Sequence, residues 1–185
     1  MGTALAHDGA LHYMLWAMTR PHPLAETRLP VLLLMLASAG TLLAALFFQY
    51  VVGLQPCVLC IWQRWPYVAV LALGLVALAV GRNARARAAL IGLMGVALVV
   101  GAGVAVFHVG VEQHWWAGTS GCGVTGSADS LEALRAQVLA APVTRCDEVA
   151  WSLLGVSMAG WNALIAAGLG VAAFAFAAAS WRAAR

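Results

Sequence analysis

Residues 88–111 read AALIGLMGVALVVGAGVAVFHVGV and contain no Asp, Glu, Lys or Arg. A stretch of about 20 apolar residues is long enough to cross a hydrocarbon core about 30 Å thick as an α-helix. Three further stretches are similarly apolar, with approximate limits of 29–52, 60–80 and 151–179. All four are rich in Leu, Val, Ala and Gly, and the small residues allow membrane helices to approach closely. The sequence therefore predicts an all-α membrane protein, a bundle of four transmembrane helices.

The composition supports this class and excludes others. Hydrophobic residues make up 63% of the 185 residues, charged residues make up 9%, and the mean hydropathy is +0.89. Soluble domains carry roughly 25% charged residues, so this chain could not cover a globular surface as a soluble monomer. Disordered chains are poor in the hydrophobic residues that dominate here. The net charge of +3 comes without a clustered basic face, which argues against nucleic-acid binding.

The arginines predict the orientation of the spans. Residues 81–87 contain three Arg and no acidic residue, and further Arg residues precede the first span and follow the fourth. Because cytoplasmic loops carry an excess of basic residues, we expect both termini and this loop in the cytoplasm. The long loop at about 112–150 then lies on the opposite side, and it holds five acidic residues against two Arg. We expect one transmembrane domain over residues 29–181, with cytoplasmic segments at 1–28 and 182–185.

The first span and the long loop each contain a further local signal. The first span exceeds the core of about 7–15 apolar residues that is typical of a signal peptide, so we expect it to remain uncleaved. In the long loop, Asp129 and Glu132 resemble a capping box and predict a short helix that ends before Pro142. The apolar residues of this helix share one face, which favours a position in the membrane interface over packing on the loop itself.

All four cysteines lie on or near the side opposite the cytoplasm: Cys57 and Cys60 at the mouth of the second span, and Cys122 and Cys146 in the long loop. In a bacterial envelope this is the oxidising side, where disulfides persist. Pro56 favours a helix start, so the first pair should lie at a helix N-terminus, where amides and the helix dipole stabilise a thiolate. Cysteines three residues apart also share a helical face. This pattern predicts reversible dithiol–disulfide chemistry.

Two polar side chains within the spans are candidates to assist this pair. Arg64 continues the helical stripe of Cys57 and Cys60 just inside the membrane boundary, where charges are costly and often functional. It could hold a developing anion, either a thiolate or a reduced electron acceptor, or it could extend to the lipid headgroups. His108 lies at a similar depth in the third span. It is a candidate proton or hydrogen-bond donor, unless it simply occupies an interfacial position.

Two inert roles for the cysteines agree less well with their spacing than reversible dithiol–disulfide chemistry does. A structural zinc site usually draws on two close cysteine pairs, whereas Cys122 and Cys146 are far apart, so no metal ion is expected. The second inert role is a tetraspan scaffold with two structural disulfides. A disulfide between Cys57 and Cys60 would close almost no loop and would constrain the unfolded chain very little.

Two motifs resemble those of the DsbB family, bacterial inner-membrane proteins of disulfide-bond formation. They are Cys57-Val58-Leu59-Cys60 followed by Gln63-Arg64, and Cys146-Asp147-Glu148 followed by Trp151, Gly155, Met158 and Trp161. The similarity extends from about residue 29 to the end. It implies a four-helix bundle that reoxidises a periplasmic thioredoxin-fold dithiol oxidase, DsbA-like, and passes the electrons to a membrane quinone. Ubiquinone is expected in preference to menaquinone.

The resemblance also implies a role for each cysteine. The partner's thiolate would attack Cys122, Cys146 would exchange with Cys57, and Cys60 would deliver the electrons to the quinone. No detailed match can be placed between Cys122 and Cys146, so the choice of the loop cysteine that meets the partner depends on chain order alone. The segment before residue 28 is longer than the family pattern suggests.

For the two polar candidates, the resemblance implies contacts with the quinone. Arg64 would stabilise the Cys60 thiolate and the charge of the reduced quinone, and His108 would lie near the quinone ring. Vitamin K epoxide reductase-like proteins share this chemistry, but they usually carry the loop cysteines before the membrane-embedded pair. A DsbB paralogue with a dedicated partner is also consistent with the sequence, and so is the inert tetraspan scaffold.

Overall fold

A computed structural model describes residues 28–80, 83–122, 131–132, 135 and 144–185. The helices and the one hairpin in these ranges are α1 (Leu29–Tyr50), α2 (Val58–Trp62), α3 (Trp65–Ala79), α4 (Ala84–Glu112), β1 (Ser152–Leu153), β2 (Val156–Ser157) and α5 (Met158–Ala183). Four helical segments are long and apolar enough to cross a membrane: α1, α4, α5, and α2 together with α3. The predicted all-α bundle of four spans is confirmed.

Proline explains why the second span consists of two helices. Pro66 lies in the first turn of α3, and proline lacks a backbone N–H and clashes with the carbonyl four residues earlier. A regular helix therefore cannot continue through this point, and Gln63 and Arg64 form a turn between α2 and α3. The starts of α4 and α5 are fixed differently, because the side chains of Asn83 and Ser157 each accept a backbone N–H of the first helical turn.

The bundle packs around α4, which contacts both α5 and α3 along its length. Small residues permit close approach: a Cβ on Gly74 would lie 2.5 Å from the side chain of Met35. Large apolar side chains cover the outside of the bundle, among them Leu36, Leu75 and Val171. An extensive exposed apolar surface is typical of a protein whose outer face contacts lipid.

The end of the long loop is where the fold differs from the sequence expectation. The helix of the fourth span begins at Met158, not near Trp151, because residues 152–157 form the antiparallel hairpin β1–β2. Leu154 and Gly155 occupy its turn with φ of 53° and 76°, and two-residue hairpin turns favour positive φ at both central positions. The predicted interfacial helix falls largely outside the described residues, as does the segment 1–27; of that helix, residues 131, 132 and 135 are described and are helical.

Candidate active site

Cys57 forms the N-cap of α2. Its backbone is extended, with φ of −74° and ψ of 171°, and its Sγ accepts the backbone N–H of Cys60 at 3.2 Å. The two sulfurs lie 2.8 Å apart as free cysteines. The sequence placed this pair at a helix N-terminus because of Pro56, and the backbone geometry agrees. An N-cap position directs backbone donors at the Cys57 sulfur, which favours its anionic form.

The loop cysteines form a disulfide that lies directly against this pair. Cys122 and Cys146 are bonded, with their Cα atoms 5.0 Å apart. Both belong to one buried cluster with Cys57, Leu59 and Val111, and the Cys57 and Cys146 sulfurs lie within 4.8 Å of each other. Thiol–disulfide exchange requires the attacking sulfur to reach the disulfide. The two pairs are therefore arranged for exchange with little movement.

His108 extends from α4 and lies against the Cys57 sulfur. It is buried, and its Nε2 is 3.6 Å from the Cys57 sulfur. The donor atoms of Cys57, His108 and Cys146 are close enough together to suit a metal ion. While Cys146 is bonded to Cys122, however, its sulfur is not a thiolate ligand. The arrangement suits sulfur chemistry with an imidazole beside it.

A chain of buried polar side chains continues from His108 into the bundle. The Nδ1 of His108 lies 2.7 Å from the Nε2 of Gln63, and the Oε1 of Gln63 accepts from Asn162 at 2.6 Å. The Oδ1 of Asn162 in turn accepts the hydroxyl of Tyr67 at 2.6 Å. Sequence reasoning identified Gln63 only as part of a motif and missed Asn162 and Tyr67. Polar residues inside apolar spans are the signal that could have identified them.

A cavity of about 250 Å³ opens beside the free thiols. Its walls are largely apolar and include Leu42, Ala45, Phe48, Leu54, Trp151, Met158 and Ile165. Polar side chains also line it, Cys57, Cys60, Arg64, His108 and Glu112 among them. A mostly apolar cavity with a few convergent polar groups is typical of a site for a small lipophilic molecule.

Arg64 faces this cavity but is held by a partner that the sequence did not identify. Its Nη1 donates to the Oε1 of Gln49 on α1 at 2.6 Å, and Gln49 also lines the cavity. The sequence placed Arg64 on one stripe with the cysteines. The structure places it in the turn after α2, with its guanidinium hydrogen-bonded to Gln49 of α1.

Electrostatics distinguish the two free thiols. The hydrogen bond from Cys60 holds the pKa of the Cys57 thiol well below its usual range, against the opposing effect of burial, and His108 and the Cys60 N–H lower it further. The distance between the two sulfurs does not by itself show which of them holds the shared proton. The Cys57 sulfur also accepts a hydrogen bond from the backbone N–H of Cys60 and faces a ring nitrogen of His108. The negative charge is therefore better stabilised on Cys57 than on Cys60.

Charged side chains flank Cys146 in the sequence. Arg145 lies beside Cys146 and donates from its Nε to Asp147 at 2.9 Å, and it also pairs with Glu148 at 3.1 Å. The hydrogen bond from Arg145 lowers the pKa of Asp147. Exposed ion pairs of this kind add little stability.

Comparison with known proteins identifies the family. The model of the family "Disulfide bond formation protein DsbB" matches residues 27–176. The chain belongs to the DsbB family. Membership makes it a multi-pass inner-membrane protein of disulfide-bond formation, with redox-active cysteines and thiol oxidoreductase activity. The resemblance seen in the two cysteine motifs is confirmed over most of the chain.

DsbB-family relatives with the name "Disulfide bond formation protein B" cover most of this chain. The protein of Aromatoleum aromaticum is 35% identical over 145 residues, which span 74% of this chain and 84% of the relative. That of Saccharophagus degradans is 32% identical over 151 residues, 79% of this chain and 90% of the relative. The protein of Xanthomonas axonopodis pv. citri is 34% identical over 146 residues, which span 77% of this chain and 85% of the relative. No solved structure matches the chain.

Proposed function

We propose that this DsbB-family protein reoxidises a periplasmic, DsbA-like dithiol oxidase and passes the electron pair to a membrane quinone. One observation carries the proposal: the free pair Cys57 and Cys60 lies between the loop disulfide on one side and an apolar cavity on the other. The disulfide is where a protein thiol can react. The cavity, with Arg64 anchored in it, fits a lipophilic electron acceptor with a polar ring.

The thiol steps follow from the order of the sulfurs. A thiolate of the partner attacks Cys122, the disulfide to Cys146 breaks, and the partner's second thiol then closes the partner's own disulfide. The freed Cys146 thiolate attacks an oxidised Cys57–Cys60 pair at Cys57 and displaces Cys60 as a thiolate. Cys122 then attacks Cys146, which restores the loop disulfide and leaves Cys57 and Cys60 reduced. One disulfide has moved to the partner, and each step exchanges one sulfur bond for another.

The charge distribution refines the role of Cys60. In the dithiol state the anion is stabilised on Cys57, as its lowered pKa indicates. Cys60 becomes a thiolate when Cys57 is bonded to Cys146, and it then faces the cavity. Arg64 orients and stabilises a negative charge there, and His108 lines the same cavity beside the Cys57 sulfur. A bound quinone would supply the two-electron oxidation that regenerates the Cys57–Cys60 disulfide; ubiquinone is the preferred candidate.

We also propose that the cysteines face the periplasm and that both termini are cytoplasmic. The sulfur cluster includes Val111 at the C-terminal end of α4, whereas Arg85 and Arg87 lie in its first turn. Arg182 lies in the last turn of α5, at the end of that helix remote from the hairpin. These three arginines thus lie at the end of the bundle remote from the cysteines, as expected for a cytoplasmic face.

The test is quinone reduction in detergent. The purified protein is mixed with a reduced thioredoxin-fold partner and a soluble ubiquinone analogue, in parallel with a menaquinone analogue, and quinone absorbance is followed. Rapid loss of absorbance that disappears in Cys57→Ser and in Cys60→Ser is expected. If neither quinone type is reduced with any of several partners, or if the cysteine variants are as fast as the wild type, the relay is wrong. The inert scaffold is then the better description.

A further inference from the structure

The polar chain that starts at Cys57 has a direction. From the sulfur it passes to His108, then Gln63, then Asn162, and it ends at Tyr67, with successive separations of 3.6, 2.7, 2.6 and 2.6 Å. Its members come from different segments of the chain: the N-cap of α2, the turn after it, α3, α4 and α5 contribute one residue each. Such a convergence of uncharged polar groups within apolar spans is costly unless each group has a partner.

The hydroxyl of Tyr67 determines the direction of every hydrogen bond in the chain. Tyr67 is 2% exposed, and within the described ranges the acceptor that its hydroxyl reaches is the Oδ1 of Asn162. The amide nitrogen of Asn162 then points at the Oε1 of Gln63. If both amides were reversed, the hydroxyl hydrogen of Tyr67 would lose this acceptor. An amide's orientation is assigned from such a network, and here the terminal hydroxyl decides it.

The direction of the chain fixes which nitrogen of His108 carries the proton. The amide nitrogen of Gln63 faces Nδ1 of His108 and can only donate. Nδ1 must therefore offer its lone pair, and a neutral imidazole then carries its hydrogen on Nε2, the nitrogen that faces the Cys57 sulfur. An imidazolium would place an Nδ1–H against the N–H of Gln63. The arrangement favours the Nε2–H tautomer, which donates to the Cys57 sulfur.

We propose that Tyr67, Asn162 and Gln63 are positioning residues that hold His108 as the Nε2–H tautomer, so that it donates a hydrogen bond to the Cys57 thiolate. The inference rests on the proposed function only in taking Cys57 as a reacting thiol. It has a chemical consequence: because Nε2 is occupied by hydrogen, His108 stabilises the Cys57 anion but does not take its proton. His108 then differs from the histidine base of a cysteine–histidine ion pair.

Other ionisable groups share the cavity with Cys57, and the charged ones must stay constant in the test. The groups that share its cavity are Cys60, Arg64, Tyr67, His108, Glu112, Arg145 and Glu148. Tyr67→Phe leaves the charged groups in place and removes one uncharged hydroxyl at the far end of the chain. Tyr50→Phe is the matched control, since Tyr50 is 75% exposed at the end of α1 and outside the cavity.

The direct readout is the tautomer itself. The full-length protein, with Cys57 and Cys60 reduced, is labelled with ¹⁵N in its histidine rings, and His108 is assigned by its absence in His108→Asn. We expect the Nε2–H tautomer in the wild type and in Tyr50→Phe, and a mixture of tautomers in Tyr67→Phe. Gln63→Glu is nearly isosteric but can only accept, so it should place a proton on Nδ1. An Nδ1–H tautomer or an imidazolium in the wild type at neutral pH overturns the proposal, as does an unchanged His108 spectrum in both Tyr67→Phe and Gln63→Glu.

A second readout follows the thiolate. The alkylation rate of Cys57 is measured against pH by mass spectrometry, in the same variants. We expect the midpoint to move to higher pH in Tyr67→Phe, with alkylation about fivefold slower on the acidic side, the effect of weakening one hydrogen bond to an anion. An unchanged profile would contradict the proposal. Neither readout needs quinone turnover, so a wild type that fails to reduce quinone refutes the relay and leaves this test intact.

Discussion

Gly110→Ala should weaken the docking of the loop disulfide against the free cysteine pair. A Cβ on Gly110 would lie 2.0 Å from the indole ring of Trp116, far inside van der Waals contact. Trp116 is fixed by a hydrogen bond from its Nε1 to the carbonyl of Phe107 at 3.0 Å, and it stacks on the Phe107 ring with 5.9 Å between centroids. The added methyl group must push the ring away and break both interactions. Trp116 begins the segment that leads to Cys122, so this segment would lose its anchor on α4.

The magnitude follows from the contacts that are lost. The hydrogen bond contributes about 1 kcal/mol and the aromatic pair about 0.5–1.5 kcal/mol. Because α4 is helical whether or not the loop is docked, the higher helix propensity of alanine cancels, and we expect the docking of the loop to weaken by about 1.5–2.5 kcal/mol. Gly103→Ala is the matched control in the same helix, because a Cβ there would meet nothing within 4 Å.

The assay is the oxidation of a reduced thioredoxin-fold partner, together with Trp fluorescence and hydrogen exchange of the segment before Cys122. Gly110→Ala should show faster hydrogen exchange there, altered Trp emission and slower partner oxidation, whereas Gly103→Ala should behave as the wild type. If Gly110→Ala matches Gly103→Ala in all three measurements, the anchoring role of Trp116 is refuted.

Three further predictions concern the cavity and the start of α5. Arg64→Met should raise the KM for quinone about tenfold or more, since a charge-assisted hydrogen bond contributes about 1.5–3 kcal/mol. Single-turnover thiol exchange with the partner should stay within about twofold of the wild-type rate. Arg182→Met, at the remote end of the bundle, is the control, and an equal loss in both steps would contradict the role given to Arg64. Because the pKa of Cys57 is lowered, its thiolate should persist well below the pH at which an ordinary cysteine is protonated. In the reduced protein, the alkylation rate of Cys57 should therefore be constant from about pH 9 to about pH 7 and fall only on further acidification. A rate that still rises steeply above neutral pH would contradict this prediction. Ser157→Ala removes both the N-cap bond to Gly160 and the hydroxyl that donates to the buried Glu112, so thermal unfolding in detergent should show a loss of about 1–2 kcal/mol; a transition as in the exposed control Ser152→Ala would refute it.

The parts of the molecule that sequence predicted correctly depend on local properties. The spans follow from the length of apolar stretches, and the N-cap position of Cys57 follows from Pro56 and the apolar helix after it. The hairpin at 152–157 was not predicted, because Leu154 adopts a positive φ that a leucine side chain disfavours.

The polar chain was missed for a different reason. Gln63 and Asn162 are 99 residues apart, and their contact depends on how α5 is rotated about its axis. In spans that are apolar on every face, periodicity gives little indication of which face points inward. The pairing of Tyr67 with Asn162 therefore required the packed bundle.

The burial of the loop disulfide has a consequence for selectivity. Cys122 is 8% exposed and Cys146 is fully buried, with Thr119 and Gly118 packed closely over the Cys122 side chain. A thiol that reaches Cys122 must first displace these contacts, and only a macromolecule that docks on the loop gains enough binding free energy to do so. Small thiols in the same compartment have no such surface to offer. We therefore expect affinity for the loop, more than thiol reactivity, to decide which reductants can react with this disulfide.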